Sequence, residues 1–271
     1  GGIRTWGSDV ITVPPEYAHT AIIDPTKKAT GIWVSKDYAW FTTADGRLIR
    51  GNRSSVGTVE LAGNTIIECL VGNGLVDPRP IGLATTGTQE APVIKPFGDP
   101  TWVTAINGVF TSWGEQRYHN SRIGSEYVNF VTKTGTADAP VYYLRLYKIN
   151  YGASITLTEV TNQIDIRNHT TGTVVKANTI RGVNQVAGSY THFVFTLPRE
   201  DSDLCDLLSY GDNSQGQLEM LPTSAPFLAI AAGYQYTITI NRMHFVEFWG
   251  NSPDNSLLYS GGAYIGDDDS V

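Results

Sequence analysis

The run YQYTITINRMHFVEFWGN, from Tyr234 to Asn251, constrains the fold more than any other part of the sequence. From Tyr234 to Ile240, apolar side chains occupy the even positions and polar side chains the odd ones, which is the alternation of a half-buried β-strand. The parity slips near Asn241–Met243, where either a bulge lies or both faces of the strand become covered. We therefore expect one long strand, Tyr234–Trp249, that is irregular near Asn241–Met243.

Strand-like runs rich in β-branched and aromatic residues recur along the chain, and turn-forming segments separate them. The 28 glycines and 13 prolines among the 271 residues suit many short strands joined by turns. Strands do not alternate with helical patterns, which argues against a parallel α/β sheet. The sequence predicts an all-β fold, an antiparallel β-sandwich or viral jelly roll, with long loops and at most one or two short helices.

Four segments carry more specific predictions. The residue types of Thr58–Val71 and Trp102–Thr111 indicate strands, whereas Gly72–Pro100 is rich in glycine and proline and indicates an extended loop. The stretch EDSDLCDLLSYG, residues 200–211, places leucines at helical spacing after an acidic first turn and before a glycine. It therefore predicts one short helix.

Length and charge limit the classes of protein. We expect one domain over residues 1–271, with an N-terminal extension at 1–30 and a C-terminal tail at 251–271. The net charge is −7, and the first 26 residues contain a single cation, Arg4, which argues against a general nucleic-acid binder. Two cysteines do not make a disulfide scaffold. No apolar run reaches the ~18 residues of a membrane span.

Sequence motifs for catalysis or cofactor binding are missing. The five histidines are scattered without an H-x-H pair, and no G-x-S-x-G, phosphate-binding loop or C-x-x-C occurs. His244 with Glu247 would share a face only across a bulge, and a solvated tail accounts for the acidic run Asp267–Asp269 better than a calcium site does. We expect no enzymatic activity, no cofactor, and no catalytic, cofactor-binding or metal-binding residues.

Two residue classes keep an alternative open. Glycoside hydrolysis needs two carboxylates about 5 to 10 Å apart across a cleft, and the candidates are Glu60, Glu68, Glu126, Glu159 and Glu247. Glu60 and Glu68 share a parity, although ordinary strand carboxylates would look the same. Five tryptophans could stack on sugars if they were exposed, but their strand positions favour burial in a core; they are Trp33, Trp40, Trp102, Trp113 and Trp249. His192 is interpreted as an ordinary strand histidine.

The segment FLAIAAGYQYTITINRMHFVEFWGN, residues 227–251, resembles the last strands of jelly-roll coat proteins from small icosahedral positive-strand RNA viruses. In those proteins an aromatic-rich segment closes the sandwich, and a tail then crosses a neighbouring subunit. The likeness is to picorna-like coats more than to noda-like coats. The reasons are the missing basic arm and the initial Gly1, which suits a coat cut from a polyprotein.

The resemblance implies a structural capsid protein that assembles with copies or sister subunits into an icosahedral shell around an RNA genome. It implies weak contact with that RNA, a host receptor as a further partner, and residence in a virion assembled in the host cytoplasm. Two other functions stay open at this point. They are a carbohydrate-binding or glycoside-hydrolase β-sandwich, and a viral or phage receptor-binding protein or another structural β-protein.

Overall fold

The computed structural model of the chain describes residues 3, 15–18, 28–53, 58–72, 74, 76–88, 92–113, 117–136, 138–189, 191–200, 202–219, 224–225, 227–241, 245–251 and 263–264. The chain divides into two compact units. Unit 1 is Gly1–Ser112 with Tyr151–Leu157, and unit 2 is Trp113–Asn150 with Thr158–Val271. The prediction of one domain over residues 1–271, with its extension and tail, stays a prediction.

Antiparallel strands dominate the fold. Strands take up 56% of the described residues and helices 9%, and the strands lie in several antiparallel sheets. This confirms the predicted all-β, sandwich-like class. Within the described residues, no helix has the length and apolar character needed to cross a membrane.

In unit 1, two sheets precede a helix. The sheet orders are β1-β2-β3-β4 and β5-β6-β7, and β1 lies against β5. The elements are a 3-10 turn (Pro15–Tyr17), β1 (Ala29–Val34), β2 (Tyr38–Thr43), β3 (Leu48–Asn52), β4 (Thr58–Glu60), β5 (Ile66–Val71), β6 (Ile81–Gly87), β7 (Pro92–Gly98) and α1 (Pro100–Ser112).

The remaining strands form three further sheets. One of these strands, β11, begins in the segment Tyr151–Leu157, which belongs to unit 1. Their elements are β8 (Arg117–Ile123), β9 (Tyr127–Gly135), β10 (Pro140–Asn150), β11 (Thr156–Glu159), β12 (Asp165–Asn168), β13 (Val174–Lys176), a 3-10 turn (Ala177–Thr179), β14 (Gln185–Gly188), β15 (His192–Pro198), β16 (Cys205–Gly211), β17 (Ser224–Ala225), β18 (Phe227–Ala232), β19 (Tyr236–Asn241), β20 (Phe245–Gly250) and β21 (Ala263–Tyr264). The sheet orders are β11-β10-β9-β8, β13-β12-β16-β15-β14 with β17 beside β16, and β18-β19-β20-β21.

Most strands pair with the strand that precedes or follows them in the sequence, because short turns reverse the chain at once. In the turn between β2 and β3, Gly46 has a φ of 79°, a conformation that residues with a side chain rarely adopt. The Thr43 hydroxyl donates to the Asp45 carboxylate in the same turn. The exception is β12, which pairs with its neighbour β13 but also with β16, although β13, β14 and β15 lie between β12 and β16 in the sequence.

Each unit has its own apolar core. In unit 1, Trp40, Leu48 and Phe97 pack together, and the rings of Trp40 and Phe97 meet edge to face at 6.0 Å. In unit 2, the largest cluster combines aliphatic residues of β10 with aromatic residues of β15 and β16. Its members are Val131, Leu144, Leu146, Val160, Ile166, Ala177, Ile180, Val183, Val186, Phe193, Phe195, Leu208 and Tyr210.

The C-terminal aromatic run is a hairpin and not one long strand, so that prediction was wrong. β19 and β20 pair antiparallel, with Tyr236 opposite Gly250 and Ile240 opposite Val246. β19 ends at Asn241, where the parity slips, and β20 begins at Phe245. Residues 242–244 lie outside the described part of the chain.

The segment predicted as a strand at Trp102–Thr111 is the helix α1. Asp99 precedes it, and its carboxylate Oδ1 accepts hydrogen bonds from the backbone N–H groups of Thr101 at 2.8 Å and Trp102 at 3.3 Å. Pro100 is the first helical residue, where its missing N–H costs nothing. Trp102 and Ile106, spaced by one helical turn, are fully buried.

Three further local predictions were wrong. Residues 200–211 contain the strand β16 in place of a helix, because Leu207 and Leu208 enter apolar clusters on opposite faces of one central strand. Thr58–Val71 holds two strands, β4 and β5, that belong to different sheets. Gly72–Pro100 contains β6 and β7 where an extended loop was expected.

The close packing of Gly82 on Phe97 generates a stability prediction. A Cβ on Gly82 would collide with the buried Phe97 ring, whereas a Cβ on Gly108, within α1, would meet nothing within 4 Å. We expect Gly82→Ala to lower the free energy of unfolding by about 1 to 3 kcal/mol through overpacking. Gly108→Ala should raise it by about 0.5 to 1 kcal/mol, because alanine favours helix. Urea unfolding of both variants measures this, and equal stability of the two would contradict it.

Candidate functional site

A polar cleft of about 410 Å³ lies wholly within unit 2, and it is the best candidate for a functional site. Three of its residues come from β10, three from the end of β11 or just after it, and two from the 3-10 turn Ala177–Thr179 or just after that turn. The lining residues are Tyr143, Leu144, Arg145, Glu159, Thr161, Asn162, Asn178 and Arg181.

The alternation of β10 places side chains in the cleft. Leu144 and Leu146 are buried in the largest core cluster of unit 2, so the side chains between and beside them face the other way. Tyr143 and Arg145 are the half-buried residues of that second face at the cleft. β10 is therefore partly covered on both faces.

Glu159 is held at the end of β11 by two donors. Arg145 Nη1 lies 3.2 Å from Glu159 Oε1, and the Thr161 hydroxyl donates to the same oxygen at 3.0 Å. Thr161 is itself buried, and its Oγ1 accepts a hydrogen bond from the Leu146 N–H at 2.9 Å. The carboxylate is therefore oriented by groups that are tied to the backbone of β10.

Arg181 supplies the second positive charge. Its guanidinium carbon lies 4.7 Å from the centre of the Tyr143 ring, within the range of a cation–π interaction. Its Nη1 donates to the carbonyl oxygens of Asn178 at 2.7 Å and Ile180 at 2.8 Å. An isolated bridge pairs the backbones of Tyr143 and Arg181. These contacts fix the guanidinium although the residue is exposed.

The charges and hydrogen-bonding groups of the cleft suit an anion. Two guanidinium groups and one carboxylate leave one net positive charge in a chain whose net charge is −7. Amide, hydroxyl and phenol groups complete the lining and can each take a hydrogen bond. Only one lining residue is acidic, so the cleft lacks the carboxylate pair that glycoside hydrolysis requires.

The other acidic candidates are dispersed. Glu60 ends β4, while Glu68 is exposed on β5 of a different sheet, so the two do not share one strand face as their parity suggested. Burial raises the pKa of Glu60, although Arg50, 3.0 Å away, opposes that rise. Glu126 is exposed between β8 and β9, and Glu247 lies on β20, 3.4 Å from the Thr239 hydroxyl. Glu159 alone lies in the polar cleft.

The aromatic candidates are mostly core residues. Trp40, Trp102 and Trp113 are buried, which confirms the expected role for these three. The indole N–H of Trp102 donates to the Gly82 carbonyl at 2.9 Å, and that of Trp113 to the Tyr147 hydroxyl at 3.1 Å. The other two, Trp33 and Trp249, are half-buried.

No group of three or more His, Cys, Asp or Glu side chains that could hold a metal ion occurs in the described part of the chain. The weaker metal candidates His244 and Asp267–Asp269 lie outside that part. Asn168 begins an Asn-x-Thr sequence, the pattern of an N-glycosylation acceptor, but its side chain is hydrogen-bonded within the protein. Its side chain donates to Asp206 at 2.9 Å and accepts from the Thr170 N–H at 2.9 Å.

His192 is fully buried and joins the sheets of β15 and β19. Its Nε2 lies 3.0 Å from the Thr237 hydroxyl, whose single proton goes to the Gln217 carbonyl at 2.9 Å. The Thr237 oxygen must therefore accept from Nε2–H, which makes Nδ1 the unprotonated nitrogen of the neutral ring. Among the described residues, Nδ1 has no hydrogen-bond partner. Burial lowers the pKa of His192, against the opposing effects of the Tyr236 backbone and the Asp212 carboxylate.

No protein-family model and no curated protein sequence matches the chain. Among solved structures, the chain is similar to the C-terminal domain of gp131 from bacteriophage phiKZ, with a TM-score of 0.74 and 20% identity. That match covers 93% of this chain and 73% of the other. Human WBSCR16 and Prp20p from Saccharomyces cerevisiae match at TM-scores of 0.48 and 0.43 and 12% and 9% identity. The two matches cover 87% and 82% of this chain and 66% and 58% of theirs.

These comparisons overturn the predicted capsid function. The match with a TM-score of 0.74 is to a domain of a bacteriophage protein and not to an RNA-virus coat protein. The predicted membership in the picorna-like coat proteins was therefore wrong, and with it the role as a subunit of an RNA-containing shell. The residues behind that prediction are those of an aromatic hairpin, a feature that many β-proteins share.

His192 generates a pH prediction. Because its folded pKa is lowered, the unfolded chain binds the proton more readily, and stability falls as the pH drops below the ordinary histidine value of 6.5. We expect the free energy of unfolding of the wild-type chain to decrease from pH 7.5 to pH 5. In His192→Gln this decrease should be smaller, since glutamine can still donate to Thr237 but does not titrate. Urea unfolding across that range tests it, and parallel pH curves for the two proteins would contradict it.

Proposed function

We propose that this chain is a non-enzymatic binding domain of a bacteriophage protein, and that its polar cleft takes an anionic group of the binding partner. The observation that carries the proposal is the excess of guanidinium over carboxylate groups in one fixed cleft. Arginine is well suited to this task, because its planar donors bind carboxylate and phosphate oxygens in pairs.

The fixed position of Arg181 supports binding of a ligand. Its two carbonyl contacts use Nη1 alone, and its hydrogen bonds within the described residues leave Nε and Nη2 as further donors. A guanidinium that is already oriented loses little conformational freedom when an anion arrives. A negative partner would therefore meet donors that need no rearrangement.

The absence of enzymatic activity is part of the proposal. The one carboxylate of the cleft, Glu159, is paired with Arg145 at 3.2 Å and would make a poor general acid or base without a second group. The other acidic candidates lie on separate sheets or turns. The lining thus supports holding a ligand in preference to converting it.

The bacteriophage source is supported by the fold shared with the gp131 domain. We place the chain in a phage particle, where a domain of this kind would contact a receptor or another component that carries the anionic group. Mass spectrometry of purified particles, from a phage that encodes the chain, tests the location. Recovery of the chain only from the soluble lysate of infected cells would contradict it.

Arg181 tests the binding proposal directly. We expect Arg181→Gln to weaken binding of citrate or inorganic phosphate about tenfold, since a hydrogen bond to a charged group contributes about 1.5 to 3 kcal/mol. Nuclear magnetic resonance titration of the full chain at low ionic strength measures it, with the arginine Nε–H signals as the local readout.

Lys176→Gln is the matched control for that experiment. It also removes one positive charge, but from an exposed ion pair with Asp165 that does not line the cleft. It should bind each anion as the wild type does. Equal weakening in both variants would mean that only overall charge matters, and no binding of either anion by the wild type would refute the proposal.

A further inference from the structure

The two donors that hold Glu159 form a ready site for a carboxylate. Arg145 Nη1 and the Thr161 hydroxyl converge on the single oxygen Glu159 Oε1, at 3.2 Å and 3.0 Å. We call these two donors the carboxylate seat. Both are charged or polar groups that β10 and the turn after β11 hold in place, so the seat has a defined geometry.

Both residues of the seat are anchored through β10 by contacts that do not involve Glu159. The Thr161 oxygen accepts the Leu146 N–H at 2.9 Å, and the Leu146 carbonyl accepts the Val160 N–H at 2.8 Å. Since Thr161 has one hydroxyl proton, it goes to Glu159 at 3.0 Å in preference to the Leu146 carbonyl at 3.4 Å. Arg145 lies opposite Phe130 in the β9–β10 register, which fixes the base of its side chain.

The Glu159 side chain is less tightly packed than the two donors of the carboxylate seat. The side chain of Glu159 is 45% exposed, against 22% for Arg145, and Thr161 is buried. A partly exposed ion pair contributes little stability, because water solvates both charges almost as well. Glu159 can therefore leave the seat at small cost when another anion competes for it.

We propose that Glu159 occupies the seat as an internal stand-in for a ligand carboxylate, and that it competes with that ligand. This inference rests on the proposed anion-binding function of the polar cleft. The ligand group is a carboxylate because the seat is already shaped around one, with two donors meeting at one carboxylate oxygen. Arg181, across the same cleft, supplies the second positive charge that draws the ligand in.

The competition makes Glu159 a determinant of affinity and specificity. While it fills the seat, it neutralises Arg145 and repels an incoming anion, so binding is weak and depends on Arg181. Once its charge is removed, the cleft carries two positive charges and no negative one. A phosphate has more oxygens and a different shape, and it should gain less from the vacated seat than a carboxylate does.

Glutarate is the probe of choice, because its end group matches the side chain of glutamate. We expect Glu159→Gln to bind glutarate about fivefold more tightly than the wild type does, in line with the upper range for a partly exposed ion pair. Asp165→Asn is the matched control, since it removes one negative charge from the exposed pair with Lys176 outside the cleft. It should bind glutarate with wild-type affinity.

The outcomes distinguish failure of the stand-in role of Glu159 from failure of the proposed anion-binding function. If neither wild type nor Glu159→Gln binds glutarate or phosphate, the anion-binding function itself is wrong. If the wild type binds through Arg181 but Glu159→Gln gains no more than Asp165→Asn, the stand-in role is wrong and the function stands. If phosphate gains as much as glutarate in Glu159→Gln, the carboxylate assignment is wrong. A gain for glutarate alone supports the inference.

Discussion

The alternation of side chains along β10 is the constraint on which the core of unit 2 and its cleft both depend. One face of the strand buries Leu144 and Leu146, and the other presents Tyr143 and Arg145. A shift of one residue against β9 would send the leucines to solvent and the arginine into the core. Burial of a charge without a partner is far more costly than loss of one surface contact. The register that builds the core therefore also builds the cleft.

The sequence predicts the secondary structure of a segment only where one hydrophobic period, that of a strand or that of a helix, clearly dominates it. The alternation from Tyr234 to Ile240 correctly predicts a strand, β19, and the turn-separated runs correctly predict an antiparallel all-β fold. Trp102–Thr111 misleads because β-branched and aromatic residues suit a strand, while the decisive signal is the cap at Asp99 before Pro100. The segment of β16 suggests a helix although it is a strand. A strand that is covered on both faces has apolar residues at adjacent positions, and adjacent leucines are also common in a buried helix.

The cleft could not be found from the sequence for a different reason. Arg145, Glu159 and Arg181 belong to separate elements, and only the turns after β11 and β13 bring them together. Glu159 was one of several acidic candidates, and nothing in its neighbours distinguished it. The capsid prediction failed in the same way, because an aromatic segment at the end of a chain specifies a sheet and leaves its use undetermined.

The pairing of β12 with β16 has a consequence for the order of folding. Most strands of the chain find their partner after one short turn, and such local pairs form rapidly because little chain entropy is lost in closing them. β12 also forms a local pair with β13, but its pairing with β16 must close a stretch of chain that contains β13, β14 and β15. We therefore expect the contact between β12 and β16 to form later than the local strand pairs of unit 2.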